Sequence, residues 1–221
     1  MSVLDILITY YPAFFKGLLV TLQLCGVIWA AGIVLGTALG ILGARYKVGV
    51  GLPSQLFSFI LSGVPLLVFL FWLHYPAQAM FDLVIDPFYT AAFTLAIVNV
   101  FGVADIVRTA LNDFPKQYLT AAKVTGLTRQ QTIFNIQIPL ILRQILPGLM
   151  VLQVMMLHTT LFASLISVEE IFRVAQRINA QIYRPVEIYT ALGVFFLAVC
   201  LPINGLAIWL KHRFTRNLSE N

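Results

Sequence analysis

A handful of side chains stand out from an apolar background because their chemistry is costly in a membrane. Asn99, Asp105 and Arg108 fall in or near one apolar run, and His158, Thr159 and Thr160 fall in another. Ionisable groups at membrane depth are expensive and mark pathways for ions or substrates by default. Asp105 and Arg108 are three residues apart, so they share a helix face, where they either pair with each other or meet a solute. His158 sits mid-run and suits either a hydrogen bond to a neighbouring helix or a polar pathway lining. A different chemistry is offered by Glu169 and Glu170, with Arg173 close behind. Paired carboxylates can act as general acid and base. Metal chemistry has no support, because no Cys/His cluster has ligand spacing, and Cys25 and Cys200 read as small packing residues.

The elements that must hold these groups are membrane helices. Of 221 residues, 60% are hydrophobic and 10% charged, and mean hydropathy is +0.90. Soluble domains carry about 25% charged residues. Uncharged runs long enough for about 20 residues of spanning helix predict five spans, at roughly 14–44, 56–80, 87–111, 138–166 and 187–211. The segment 112–137 is left as a polar loop, and 1–221 reads as a single domain. No alternating strand pattern of a barrel is present. Ten basic residues fall on one side of these spans (Arg45, Lys47, Arg108, Lys116, Lys123, Arg129, Arg143, Lys211, Arg213, Arg216) and four on the other (Lys16, Arg173, Arg177, Arg184). The positive-inside rule then puts the N-terminus outside and the C-terminus in the cytoplasm. The net charge of +5 reflects this topology and not a nucleic-acid surface, since the cations are scattered over several loops. The start of the chain, with Asp5 and no basic n-region, does not read as a cleaved signal peptide.

Local signals refine the spans. Gly32, Gly36 and Gly40 form a small-residue stripe that lets a second helix, in this chain or another, come close. Gly63 and Pro65 interrupt the second span. Pro202 and Asn204 lie in the fifth, and residues 168–189 read as a short polar surface helix on the outer side. In the polar loop, a helix over about 116–125 should stop at Gly126. A second helix should start at Thr128, where Gln131 completes a capping box, and should run to a break at Pro139. This loop reads as a protruding element shaped to dock.

The loop resembles that of ABC-importer permeases, whose pattern is E-A-A, three residues, G, and further on I-x-x-P. Here it stands as Thr120-Ala121-Ala122, Gly126 and Ile136-Gln137-Ile138-Pro139. The resemblance covers nearly the whole chain and is nearest to the polar amino-acid branch. "GLLVTLQL" at 17–24, "LSGVPLLV" at 61–68, Ala104 to Arg108, "GLTRQQTI" at 126–133, 138–147, "LHTTLFAS" at 157–164 and "YRPVEIY" at 183–189 follow that branch in order. The resemblance implies an all-α membrane protein, with about five transmembrane helices in a type I ABC importer permease fold with a cytoplasmic coupling helix. It implies a bacterial cytoplasmic (inner) membrane location and import of amino acids or their derivatives by alternating access. The implied partners are two cytoplasmic ATPase subunits, a second permease subunit, and a periplasmic or extracellular substrate-binding protein. The chain itself would hold no cofactor and would not be an enzyme. ATP-Mg would sit in the partner, in keeping with the lack of any Gly-Lys pair for a phosphate loop.

Coupling would fall to Thr120, Ala121, Ala122, Lys123, Gly126, Leu127, Arg129 and Pro139. A substrate pathway would include Ser62, Pro65, Asn99, Asp105, Arg108, His158, Thr159 and Thr160. The chain departs from the family at Thr120 (Glu), Ser62 (Arg), Asp105 (Glu) and His158 (Asp). These departures favour one half of a heterodimeric pore, with a homodimer as the alternative. The enzyme alternative rests on Glu169 and Glu170, which resemble the glutamate pair of intramembrane CAAX-type proteases. Two residues instead of three precede Arg173.

Overall fold

Long apolar runs close their backbone hydrogen bonds internally, and the chain folds as helices throughout the described residues, 3–216, of a computed structural model. Helix α1 spans Val3–Arg45, α2 Lys47–Gly63, α3 Leu66–Met80, α4 Pro87–Asn112, α5 Lys116–Val124, α6 Arg129–Ile166, α7 Ile171–Ile182 and α8 Pro185–Arg216. Four of them (α1, α4, α6 and α8) are long and apolar enough to cross a membrane alone, and α2 with α3 makes a fifth candidate.

Three boundaries differ from the sequence reading. The first helix extends far past 14–44, because its first turns have a second partner in α7 as well as lipid-soluble side chains. The second span is not one rod with a kink, since α2 and α3 meet at 97°. Pro65 pushes Val64 into extended backbone (φ −103°, ψ 125°), and the helix stops there. The expected break at Pro139 does not occur. A wide π turn at Ile133–Gln137 precedes it, and the helix continues. Proline's ring crowds the carbonyl four residues back, here Asn135, and a widened turn at that point relieves the crowding without ending the helix.

The glycine stripe is used within this chain. A Cβ at Gly32 would lie 2.1 Å from Asn99 Nδ2, at Gly36 2.7 Å from the Val100 carbonyl, and at Gly40 2.8 Å from the Ala104 carbonyl. Helices α1 and α4 therefore touch backbone to backbone. The central core gathers Leu24, Ile28, Leu70, Leu95, Met156 and Ile166 from α1, α3, α4 and α6. A second cluster lies under α7, where Ile171, Val174, Ala175 and Ile178 recur at helical spacing and bury against Ile6 and Ile188. A third, built on Val103, Val107, Phe114, Ile141 and Ile145, roots the polar loop.

Candidate coupling and pathway site

The loop between α4 and α6 takes its shape from local hydrogen bonds. Helix α5 ends in a Schellman motif: Leu127 N–H donates to the Ala122 carbonyl (3.0 Å) and Gly126 N–H to the Lys123 carbonyl (3.1 Å). Gly126 sits at φ +76°, a conformation that L side chains adopt only with strain. Two residues later Thr128 caps α6. Gln131 N–H donates to Thr128 Oγ1 (3.3 Å), and Thr128 N–H donates to Gln131 Oε1 (2.9 Å). The end of α5 and the start of α6 are both fixed by hydrogen bonds made within a few residues of Gly126, so the two are held in one shape, here called the hook.

The hook is rooted where Phe114, just before α5, and Tyr118 and Leu119 of α5 join Ile136 and Leu140 of α6 in the cluster built on Val103 and Val107 of α4. Ala122 is buried, Leu127 and Pro139 are half-buried, and Thr120, Ala121, Lys123, Gly126 and Arg129 are exposed. Thr120 turns its hydroxyl back to the Lys116 carbonyl (3.2 Å). The sequence reading passed over Val124, which is 82% exposed at the tip. The available signal was a large aliphatic residue beside the Gly126 stop in a polar loop.

The eight residues that the sequence suggests for a substrate pathway divide by environment. Asn99 is wholly buried. Its amide donates to the Ile28 carbonyl (2.9 Å) and to Gln153 Oε1 (3.0 Å), and accepts from Gln153 Nε2 (3.2 Å). It ties α1, α4 and α6 together, through a partner, Gln153, that the sequence did not single out. Thr159 and Thr160 are also buried and donate to the Met156 and Leu157 carbonyls of their own helix. Asp105 and Arg108 form the expected ion pair. Arg108 is buried while the Asp105 side chain is 37% exposed, and Ser58 of α2 also donates to Asp105. Ser62 and Pro65 are exposed at the α2–α3 corner, with Ser62 donating to the Phe59 carbonyl (2.8 Å). His158 is exposed on α6 and its Nε2 lies 3.2 Å from Cys200 Sγ on α8. Ser62, Pro65, Asp105 and His158 thus reach the surface, and Arg108 steadies Asp105 from behind.

The paired carboxylates do not converge on a common reaction centre. Glu170 is fully buried and caps α7, accepting from Phe172 N–H (2.9 Å) and Arg173 N–H (2.7 Å). Glu169 points outward to Arg177 at 2.9 Å. Burial pushes the Glu170 carboxyl up to about 7 against the lowering effect of those two N–H donors.

Residues 32–216 match the family model of the binding-protein-dependent transport system inner membrane component. The chain belongs to this family. The permease is 30% identical over 205 residues to the glutamine transport system permease GlnP of Escherichia coli, covering 91% of this chain and 93% of that one. It is 28% identical over 220 residues to the octopine transport system permease OccM of Rhizobium radiobacter, covering 93% and 90%. Its fold matches the crystal structure of an amino acid ABC transporter with histidines at TM-score 0.82 and 25% identity, over 96% of this chain and 99% of that chain.

The permease is therefore a multi-pass inner-membrane component of a binding-protein-dependent ABC transporter, and ATP hydrolysis belongs to a separate subunit. The protease-like reading of Glu169 and Glu170 is set aside by family membership together with the capping role of Glu170.

Proposed function

We propose that this permease imports amino acids or amino-acid derivatives as one half of a heterodimeric pore. Two cytoplasmic ATPase subunits drive it, and a binding protein on the outer face delivers the solute. The observation that carries the coupling half of the proposal is the exposed hook 116–132, hydrogen-bonded into one shape and continuous through the π turn with α6. A push on Val124 and Lys123 enters α6, an unbroken helix of 38 residues that carries His158. That is a lever suited to alternating access.

The solute class rests on the relatives' names, since glutamine is an amino acid and octopine an amino-acid derivative. On the pathway, the Asp105 carboxylate, held by Arg108 and Ser58, is placed to meet an ammonium group. Ser62, Pro65 and His158 offer the remaining exposed lining. The heterodimer follows from the residues in which this chain departs from its family's pattern.

Copurification tests the coupling reading. The wild-type chain, coexpressed with its ATPase and a second permease, should bring both down and show ATPase activity stimulated by loaded binding protein. Val124→Glu combined with Lys123→Glu should lose the ATPase while the permeases stay together in the membrane. Retention of full stimulated activity by that double variant would overturn it.

A further inference from the structure

At the end of α4 far from the hook, the link between α3 and α4 is gripped by one residue. Residues 83–86 form no regular element, and Val84 among them is fully exposed. Gln78 of α3 holds this segment at two points. Its carbonyl accepts from Leu83 N–H (2.9 Å), and its side-chain Oε1 accepts from Ile85 N–H (2.8 Å). A backbone N–H only donates, so Oε1 faces Ile85 and the amide NH2 faces the other way. There Nε2 lies 3.1 Å from Thr90 Oγ1 of α4 and 3.2 Å from Nδ1 of His74, one turn earlier on α3. An amide NH2 has no lone pair to offer, so Nδ1 is the acceptor, which requires a neutral ring with its proton on Nε2.

We propose that His74 and Gln78 form a proton-operated latch that holds the segment 83–86 while His74 is neutral and releases it when His74 is charged. Protonation turns Nδ1 into a donor facing the amide donor at 3.2 Å. The amide relieves the clash by turning over, which offers Oε1 to Nδ1–H as a charge-assisted acceptor and sets NH2 against Ile85 N–H. The Ile85 bond is lost, and Leu83 N–H and the Asp86 cap on Phe88 N–H (2.8 Å) remain to hold the segment. Thr90 Oγ1 is the poorer outlet for the new proton, since it lies 3.4 Å from Nδ1 and already accepts from the Gln78 amide. Water reaches the latch, because His74 and Gln78 line an open hollow of about 640 Å³ with Tyr75, Asp82 and Leu83. The titratable groups on the elements packed here are Tyr75, edge-on to the His74 ring at 4.7 Å, Asp82 in the hollow, and Asp86 and Tyr89 where α4 begins. The part of α6 that meets α3, Thr160–Ile166, has none. The side whose pH the latch senses rests on the hook being cytoplasmic, since α4 lies between the two. The latch itself depends neither on that nor on which solute is carried.

The test uses the assembled transporter in detergent, with cysteine-free partner subunits, Cys25→Ala and Cys200→Ala, and a nitroxide label on Val84→Cys. Electron paramagnetic resonance reads the label at about pH 8 and about pH 5, the span over which imidazoles change charge. The mobile fraction of the label should rise at least twofold on acidification and return on neutralisation. His74→Asn keeps an acceptor oxygen near the Nδ1 position and does not titrate, so the label should stay in its held state at both values. Gln78→Leu should give a mobile label at both. A label equally mobile at the two pH values in the parent would overturn the latch. So would a rise that persists in His74→Asn, which would place the titration on Asp82 or Asp86. Should Gln78→Leu fail to assemble, the comparison of the parent with His74→Asn still decides. ATPase activity that loaded binding protein does not stimulate would count against the coupling role of the hook and leave the label spectra readable.

Discussion

At the scale of single residues, Glu170 and Asn99, two of the fully buried polar groups, anchor helices. Glu170 caps α7 from a site with no solvent exposure, while Thr21 Oγ1 of α1 accepts from Ile171 N–H at 3.2 Å. Because the folded carboxyl is raised from 4.5 to about 7, the folded state binds its proton more tightly than the unfolded chain does. The stabilising contribution is complete below about pH 4.5 and is lost as pH rises to about 7. Between those values, Glu170→Gln should flatten the fall in thermal stability with pH, because the amide oxygen still accepts from the helix N–H groups but does not titrate. An unchanged slope in that variant would show that Glu170 is not the titrating group.

Asn99 gives a second residue-scale prediction. Asn99→Ala strands the Gln153 amide, and interhelical hydrogen bonds in membranes contribute about 0.6 kcal/mol on average. The single variant should melt a few degrees lower. Adding Gln153→Leu should recover part of that loss by removing the stranded group. A double variant less stable than the single would contradict the pairing. Asn99 was legible as important from its depth in an apolar run. Its role was not legible, because a sequence does not say which helix stands opposite.

At the scale of elements, legibility follows the range of the interactions. The end of α5 and the start of α6 were readable because each is decided within a few residues, by Gly126 and by Thr128 with Gln131. Pro139 misled because its effect depends on what the preceding turn does, and a π turn at Ile133–Gln137 keeps the helix intact. The corner at Pro65 was legible as an interruption. Its 97° angle was not, since it depends on where α3 packs against the central core.

The hook gives this scale its prediction. A Cβ at Gly126 meets nothing within 4 Å, so Gly126→Val acts through the backbone alone, at a cost of about 1–2 kcal/mol for the left-handed conformation. That is enough to loosen the turn at Gly126 without unfolding membrane helices. Transport should fall at least tenfold while the amount of permease in the membrane stays within twofold of wild type, measured by uptake in vesicles and immunoblotting. Normal uptake would show that the hook's shape is not needed for coupling.

At the scale of the whole molecule, the hydropathy runs predicted the crossing segments but not the way α1 and α7 extend the fold beyond them. Helix α1 has 43 residues, about 65 Å at about 1.5 Å per residue, roughly twice a hydrocarbon core of about 30 Å. Its excess length is explained by α7, which packs over its first half through Gly17 and Thr21. The amphipathic α7 therefore lies at the end of the molecule opposite the hook if each long helix crosses once. The charge asymmetry predicts the direction, with Arg173, Arg177 and Arg184 on the outer side together with the N-terminus and Lys123 and Arg129 on the cytoplasmic side.

Labelling in intact cells checks this directly. In a background with Cys25 and Cys200 replaced by alanine, Arg177→Cys should react with a membrane-impermeant maleimide added outside. Lys123→Cys should react only after the membrane is opened. Both native positions are exposed, so protection of either one reports the membrane and not the fold. The reverse pattern would invert the topology and put the hook on the wrong side for a cytoplasmic ATPase. Labelling of both positions from outside would mean that α6 does not cross, since α6 is the candidate span that separates the two sites along the chain.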